Sequence, residues 1–325
     1  MSDRPAPKVS IVMSTYQRGY LLRYAVQTVL DQTMTDWELI IVDDASPDDT
    51  PQIVQEFTDP RIRYFRREQN FGEQSGPNNF GVEQARAPWI AFLNNDDLWF
   101  PNHLEVGLQR AIHMQADGVL AGNVAPQPRA DKEVSLEGTA VDLRGVGLDH
   151  DWRPEVYTPA SSWLIRKSSH EQVGGWRPAD QCSFESSQDF LFRAYRAGAH
   201  FVLSQRVTVL IVQSSNRPDS YRKQSSPEHD YYFQAMQEDP DFRAKLLERA
   251  AYLQANIVFR TRFASSTREI LAAIISPVAY RTLPRFGIHP RALKFWWNFR
   301  GRNGFIRHLK ETRGNPETLT TGKNQ

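Results

Sequence analysis

The 325-residue chain has a single cysteine, Cys182, and no long hydrophobic run. One cysteine excludes an internal disulfide framework and a cysteine-rich metal site, and it is typical of a reducing compartment. The longest apolar stretch, residues 270–278, is too short to span a bilayer, and the first residues lack the apolar core of a secretory signal. No Gly-x-Gly-x-x-Gly motif follows the first apolar run, which argues against a dinucleotide-binding fold. We therefore expect a cytoplasmic protein.

Charge is distributed unevenly along the chain. Residues 241–325 carry 16 Lys and Arg against 5 Asp and Glu, whereas the first 240 residues carry 23 basic and 33 acidic side chains. This difference predicts that the two parts have different functions. We divide the chain into a main α/β domain over residues 1–215 and a helical, basic and aromatic extension over residues 216–325.

Short apolar runs alternate with amphipathic segments in the first half, which predicts a mostly parallel sheet with flanking helices. The predicted strands are residues 9–13, 39–42, 62–65, 89–93, 119–124 and 161–165, and the predicted helices begin near residues 21, 50, 101 and 189. A weaker helix over residues 75–85 is broken by Pro77 and Gly81 or begins after them. Residues 125–160 and 214–230 are predicted to be a loop or insertion and a polar linker.

Two acidic pairs, Asp43-Asp44 and Asp96-Asp97, each follow an apolar run. If the strands are parallel, both pairs lie at the carboxyl edge of the sheet, where ligands bind in open α/β folds. Adjacent carboxylates repel each other, and a hard divalent cation that also binds substrate phosphates would stabilise them. Acidic turns that cap the following helices are the alternative.

Several blocks of the sequence carry a resemblance to a known family. They are Lys8–Tyr16 (KVSIVMSTY), Trp37–Ser46 (WELIIVDDAS), the triplets Asn70-Phe71-Gly72 and Asn79-Phe80-Gly81, and Ile90–Pro101 (IAFLNNDDLWFP). In this order they resemble the inverting nucleotide-sugar glycosyltransferases of family 2, which have the GT-A fold. The resemblance covers residues 8–210. It implies a GT-A domain over residues 1–215 that transfers a sugar, with inversion, from a nucleotide sugar such as a UDP-sugar.

Roles for individual residues also follow from the resemblance. Ser14 and Thr15 would lie beside the nucleotide base, and Asp44 would accept a hydrogen bond from a uracil N–H, as an ionised carboxylate can. Asp96 would contact the ribose or the metal, and Asp97 would ligate Mg²⁺ or Mn²⁺ at the diphosphate, since oxygen ligands suit both ions. Capping of the next helix is the alternative role for Asp44.

The sequence departs from the family pattern at two positions. Asn94 stands where the family often has Asp, and Asn78 stands where it often has Arg. Both changes predict altered donor recognition rather than lost activity. Asp43 is expected to orient its loop rather than to contact the ligand.

Sugar transfer to a hydroxyl also needs a base, for which a positioned carboxylate is suited. The family places an Asp before a late helix, and residues 183–193 occupy that place. Asp189 is the first choice. Counting back from Arg193 places Ser187 at the usual base position instead, which leaves Glu185 or Asp189 to act as the base. Helix capping is the other role open to Asp189.

Three further residues, Trp163, Trp176 and His103, are candidates for an acceptor pocket, with burial in the core as the alternative for the two tryptophans. Residues 281–300 interleave aromatic with basic side chains, which favours either contact with an anionic membrane or packing on the main domain. The expected partners are a nucleotide-sugar donor, a saccharide or lipid-linked acceptor, and the anionic inner face of a membrane. No recognised nucleic-acid module accompanies the basic residues, so we expect no nucleic-acid partner.

Two other functional classes stay open. A nucleotidyltransferase would share the α/β plan but should have a glycine-rich basic loop after its first strand, where Thr15–Gly19 offers only Arg18. A non-catalytic scaffold that binds sugar nucleotides would explain Asn94 and Asn78 as lost function.

Overall fold

A computed structural model describes residues 6–127, 133–147, 149–213, 225–263 and 282–290, together with Ala292. The strands are β1 (Val9–Thr15), β2 (Trp37–Asp43), β3 (Ile62–Arg66), β4 (Trp89–Phe92), β5 (Asp97–Trp99), β6 (Gly118–Pro126), β7 (Val141–Arg144), β8 (Trp163–Arg166) and β9 (Phe201–Ile211). The helices are α1 (Gly19–Leu30), α2 (Thr50–Gln55), α3 (Ser75–Gln84), α4 (His103–His113), α5 (Lys167–Gln172), α6 (Ser186–Arg196), α7 (Pro227–Glu238) and α8 (Phe242–Phe263).

The strands form one mixed sheet in the order β3-β2-β1-β4-β8-β6-β9-β5, with β7 paired to β6. Strands β3, β2, β1 and β4 are parallel to one another. The rest of the sheet is mixed. Strand β8 runs antiparallel to both β4 and β6, and β5 runs antiparallel to β9, whereas β6 and β9 are parallel. The predicted α/β class is confirmed, and the parallel strands bring the carboxyl ends of β1, β2 and β4 to one edge.

Strands β4 and β5 are consecutive in the chain, yet β8, β6 and β9 lie between them in the sheet. Only residues 93–96 connect them, and the N–H of Asp97 donates to the carbonyl of Asn94 over 3.2 Å to close a turn. So short a turn can join the two strands only because the sheet curls. Asp97 is therefore the first residue of β5 and not simply a loop residue.

Helices cover both faces of the sheet, as alternation along β1 requires. Ile11 and Met13 pack with the apolar sides of α1, α2 and α4, whereas Val12 packs with α3 and α6. β1 and β2 are buried along nearly their whole length, which fixes the loops that follow them.

Helix α3 runs unbroken through Pro77 and Gly81, so the predicted interruption is wrong. Pro77 occupies the third position of the helix, where a backbone N–H would have no partner within the helix. A Cβ on Gly81 would lie 2.5 Å from Cγ1 of Val12, so the glycine allows the helix to approach the sheet closely.

Two elements differ from the sequence prediction in the second half. Residues 125–160, expected to be a loop or insertion, contain β7, which pairs with the end of β6. Strand β9 was not predicted, because the polar residues Ser204–Arg206 interrupt its apolar pattern. Gln205 has a φ of +58°, and the pairing with β6 shifts register at this point.

The C-terminal helices pack on the same sheet. Tyr232 of α7 and Phe242 and Leu246 of α8 share an apolar cluster with Leu98 of β5 and Leu210 of β9. This core therefore continues beyond the proposed domain boundary at residue 215. No helix among the described residues is long and apolar enough to cross a membrane. Half of the basic segment 281–300 lies outside the described residues.

Candidate active site

The carboxyl ends of β1, β2 and β4 surround a cavity of about 440 Å³, which we call the first cavity. Its lining includes all five residues predicted to bind the nucleotide or the metal, namely Ser14, Thr15, Asp44, Asp96 and Asp97. Each of these residues lies within a buried strand or in the turn that follows one, at the carboxyl edge of the parallel strands. Asn95 ties two of these strand ends together, because its Nδ2 donates to Oγ1 of Thr15 over 2.8 Å.

Asp44 is held at the cavity wall by its loop. The backbone N–H of Phe71 lies 3.0 and 2.9 Å from its two carboxylate oxygens, and Nε of Arg67 lies 3.3 Å from Oδ1. Burial raises the pKa of Asp44, while the Phe71 N–H and the Arg67 guanidinium oppose that shift. The neighbouring Asp43 is fully buried and accepts hydrogen bonds from the Ser46 N–H and the Tyr64 hydroxyl.

The turn over residues 94–97, which we call the acidic turn, contains two carboxylates, and these have different surroundings. Oδ2 of Asp96 lies 2.7 Å from Nη1 of Arg18, whose side chain is only 4% exposed. Oδ2 of Asp97 accepts from the Ser161 hydroxyl at 2.5 Å and from Nδ2 of Asn94 at 3.0 Å. Burial, and then the charge of Asp96, raise the pKa of Asp97 well above the usual range of an aspartate. Asn94 thus supplies a donor that the Asp often found in the family could not.

The acidic turn presents oxygen donors of the kind that Mg²⁺ and Mn²⁺ bind. Asp96 and Asp97 supply carboxylate oxygens to the first cavity, and Asn94 lines it as well. Among the described residues, no three His, Cys, Asp or Glu side chains form a metal-binding group. Magnesium sites of nucleotide enzymes use one or two carboxylates together with substrate phosphates and water. The turn therefore fits an ion that arrives with a diphosphate and does not form a cage that would hold the ion alone.

A second cavity, of about 590 Å³, adjoins the first. Its lining includes Glu155, Glu185, Arg144 and Tyr157, and the last two also line the first cavity. Arg144 ends β7, and its Nη2 donates to Oδ2 of Asp142 over 2.9 Å. A cationic and an aromatic side chain therefore lie where the two cavities meet.

The three base candidates occupy different places. Glu185 immediately precedes α6 and lines the second cavity, whereas the linings of both described cavities omit Asp189 and Ser187. Oδ2 of Asp189 accepts from Nε of Arg193 over 2.7 Å. Arg193 also donates to the carbonyls of Val173 and Gly175, so this ion pair connects α6 to the preceding segment.

The expected aromatic acceptor wall is not formed by the residues proposed for it. Trp163 and Trp176 are buried and pack against Phe190 in the core. His103 stacks on Trp99 at 4.2 Å, and burial lowers its pKa to about 3. The core alternative was therefore correct for both tryptophans, His103 is buried as well, and Tyr157 is the aromatic residue that lines both cavities.

Three contributors to the site were missed by the sequence interpretation. Arg18 was noted only as a lone basic residue, and Arg144 lay in a predicted loop. His229 lies far along the chain, yet its Nε2 is 3.0 Å from the backbone carbonyl oxygen of Asp96. No local pattern signals such a contact, because it depends on where α7 docks.

Comparison with known proteins supplies independent information. The model of a family described as glycosyl transferase family 2 matches residues 10–174. The chain is 39% identical over 98 residues to the UDP-Glc:alpha-D-GlcNAc-diphosphoundecaprenol beta-1,3-glucosyltransferase WfgD of Escherichia coli, covering 30% of this chain and 38% of that protein. It is 35% identical over 200 residues to the succinoglycan biosynthesis protein ExoO of Rhizobium meliloti, covering 61% of this chain and 54% of that protein.

A solved structure extends the likeness to the fold. The Staphylococcus aureus TarS 1–349 complex with UDP-GlcNAc superposes with a TM-score of 0.55 at 16% identity, covering 94% of this chain and 89% of that one. The GT-A architecture expected from the sequence is thereby confirmed. The alignments with the two curated relatives span about two fifths and about half of their lengths.

Proposed function

Since this chain belongs to glycosyl transferase family 2, we propose that it transfers a sugar from a UDP-sugar to a hydroxyl of a saccharide or lipid-linked acceptor, with inversion. The observation that carries this proposal is the meeting of Ser14, Thr15, Asp44, Asp96 and Asp97 in one cavity beside a second cavity. The first would hold the donor and the second the acceptor. WfgD, a relative over part of its length, is named for a UDP-Glc donor and a diphosphoundecaprenol-linked acceptor.

Recognition of the donor would proceed from its base to its diphosphate. Asp44 would accept the uracil N–H, which is chemically suited to a carboxylate acceptor. Asp96 would contact the ribose. Mg²⁺ or Mn²⁺, held by Asp96 and Asp97, would neutralise charge on the diphosphate. Arg144 would face the leaving diphosphate from the junction of the cavities, where its guanidinium can donate to developing negative charge.

In an inverting displacement, the acceptor oxygen forms a bond to the anomeric carbon as the bond from that carbon to the phosphate oxygen breaks. UDP leaves with the electron pair, and the acceptor proton moves to a base. We assign the base to Glu185 instead of Asp189, because Glu185 lines the second cavity whereas Asp189 lines neither of the two cavities. Ser187 is a poor proton acceptor, because a protonated hydroxyl is a strong acid.

The proposed setting is polysaccharide or lipid-linked glycan synthesis at the inner face of a membrane. The excess of basic residues over residues 241–325 supports attraction to anionic lipid. Phe286 and Ile288, which are 79% and 42% exposed beside Arg285, supply apolar side chains for such a contact.

A panel of nucleotide sugars tests the function. Purified full-length protein is incubated with UDP-, GDP- and dTDP-sugars, Mg²⁺ or Mn²⁺ and saccharide acceptors, and nucleotide release and binding are measured. UDP-sugars should bind and turn over, and Asp97→Ala should abolish turnover. Binding without turnover for every pair would favour a scaffold, and pyrophosphate release from a nucleoside triphosphate would favour a nucleotidyltransferase.

A further inference from the structure

Helix α7 reaches the acidic turn from a part of the chain beyond the family match at residues 10–174. His229 in its first turn is fully buried. Its Nε2 lies 3.0 Å from the backbone carbonyl oxygen of Asp96. Because a carbonyl oxygen only accepts, Nε2 must carry the hydrogen and donate it. The other ring nitrogen, Nδ1, lies 2.8 Å from the hydroxyl of Ser226.

The carbonyl that His229 binds belongs to the peptide group between Asp96 and Asp97. A peptide group is planar, so fixing its oxygen also fixes the N–H of Asp97 and the direction in which the chain leaves Asp96. The side chains of the two residues that this peptide joins are held as well. The Asp96 carboxylate is paired with Arg18, and the Asp97 carboxylate accepts from Ser161. The N–H of this peptide donates to the carbonyl of Asn94 within the turn, and His229 adds a contact to its oxygen from outside the turn.

Contacts other than His229 hold α7 in place. The hydroxyl of Tyr24 donates to Asp230, and the ring of Tyr24 lies 5.4 Å from that of Phe233. Nε2 of Gln237 donates to Oδ2 of Asp31 over 2.9 Å. Removal of the imidazole should therefore delete one hydrogen bond at the turn without releasing the helix.

We propose that His229 is a positioning residue of the donor site, which orients the Asp96–Asp97 peptide so that both carboxylates face the diphosphate and its metal. The proposal rests on the proposed function, since it assumes a nucleotide-diphosphate donor. Its physical basis is preorganisation, because groups already held in the binding geometry lose less freedom when the ligand arrives. Helix α7 then belongs to the catalytic unit, although it lies beyond residue 215.

Three substitutions of His229 separate positioning from packing. His229→Gln keeps an N–H donor near the position of Nε2. His229→Asn keeps a donor on a side chain too short to reach the carbonyl of Asp96, and His229→Leu keeps side-chain volume without a donor. Tyr24→Phe is the matched control, because it removes another α7 contact without touching the turn. For each protein we would measure thermal unfolding, the affinity for UDP with Mn²⁺, the affinity for uridine, and KM and kcat.

We expect His229→Leu and His229→Asn to weaken UDP–Mn²⁺ binding about tenfold, the equivalent of one lost hydrogen bond, with uridine affinity unchanged. His229→Gln should recover most of the affinity, and Tyr24→Phe should lower only thermal stability. If His229→Leu does not fold, the comparison of Asn with Gln gives the same answer. Equal UDP–Mn²⁺ binding by Asn, Gln and wild-type proteins overturns the proposal. Absence of UDP–Mn²⁺ binding by the wild-type protein overturns the proposed function itself.

Discussion

Asn94 donates a hydrogen bond from Nδ2 to Oδ2 of Asp97 over 3.0 Å. This contact explains how the turn accommodates a buried aspartate with another aspartate beside it. The Asn-for-Asp exchange lowers the number of carboxylates but adds a donor where negative charge is concentrated.

Asn94→Asp should destabilise the metal-free protein by about 1–3 kcal/mol, because it replaces a donor with a third carboxylate at a buried acceptor. Unfolding is measured in EDTA and in Mn²⁺, and Mn²⁺ should restore much of the loss. Asn102→Asp is the control, because Asn102 accepts from Arg243 and a carboxylate can keep that contact. Equal stability of Asn94→Asp and wild type in EDTA would contradict the argument.

Glu185→Gln and Asp189→Asn distinguish the two base candidates. We expect Glu185→Gln to lower kcat for transfer by a factor on the order of 10²–10⁴ without changing donor affinity, since a general base contributes that much. Asp189→Asn should instead lower the free energy of unfolding, because it leaves Arg193 without its carboxylate partner. A folded Asp189→Asn protein with lost transfer would return the base assignment to Asp189.

Arg144→Gln should weaken UDP binding about tenfold or more and leave uridine binding unchanged, because the guanidinium is proposed to contact the diphosphate. Calorimetric titrations with both ligands provide the measurement. Arg153→Gln is the matched control, since Arg153 is half exposed and pairs with Asp149 at 3.8 Å. Parallel losses for UDP and uridine would indicate a structural role for Arg144.

The stability of the fold should fall as the solution becomes acidic. Burial, with the charges of Arg193 and Lys167, lowers the pKa of His170 to about 4 from its ordinary value of 6.5. Between pH 4 and 6.5, His170 binds more protons in the unfolded chain than in the folded one. The contribution of neutral His170 to stability is therefore complete above pH 6.5 and is lost as the pH falls toward 4. His170→Gln should reduce the pH dependence of unfolding by urea by up to about 1.4 kcal/mol per pH unit.

The difference between variant and wild type is the quantity to measure, because the raised pKa of Asp97 acts in the opposite direction across this whole range and the lowered pKa of His103 acts in the same direction as that of His170. His113→Gln, at an exposed position of α4, is the control. An unchanged pH dependence in His170→Gln would show that His170 is not the source of the acid sensitivity.

Membrane contact is tested by exchanging exposed apolar residues. Phe286→Ser combined with Ile288→Ser should reduce flotation with anionic liposomes at least about threefold, since burying a Phe side chain alone is worth about 1.5–3 kcal/mol. Ile112→Ser is the control, because Ile112 is 64% exposed on α4. Equal flotation of all three proteins would remove these residues from the lipid contact.

The meeting of the acidic residues in the first cavity was predictable from sequence, and the other parts of the candidate site were less so. Asp44, Asp96 and Asp97 directly follow apolar runs, and parallel pairing brings such positions to one edge regardless of detail. The Asp189–Arg193 ion pair has helical i,i+4 spacing, so it could also be predicted from the sequence.

The remaining contributors depend on long-range pairing. Arg144 reaches the cavities because β7 pairs with β6, and His229 reaches Asp96 across 133 positions of sequence. Trp163 and Trp176 show the converse limit. Their residue type suits either a sugar platform or a core, and only the packing of α6 against the sheet decides between them.

The curl of the sheet sets the length of the acidic turn. From Phe92 to Asp97 the chain spans at most roughly 17 Å, while four steps between strands of a flat sheet would need about 19 Å. Because these residues form a turn, their actual reach is shorter still. Unlike a surface loop, this connection cannot gain or lose a residue without changing how far the sheet closes. Loop exchange between relatives should therefore retain four residues at this point, even where their identities differ.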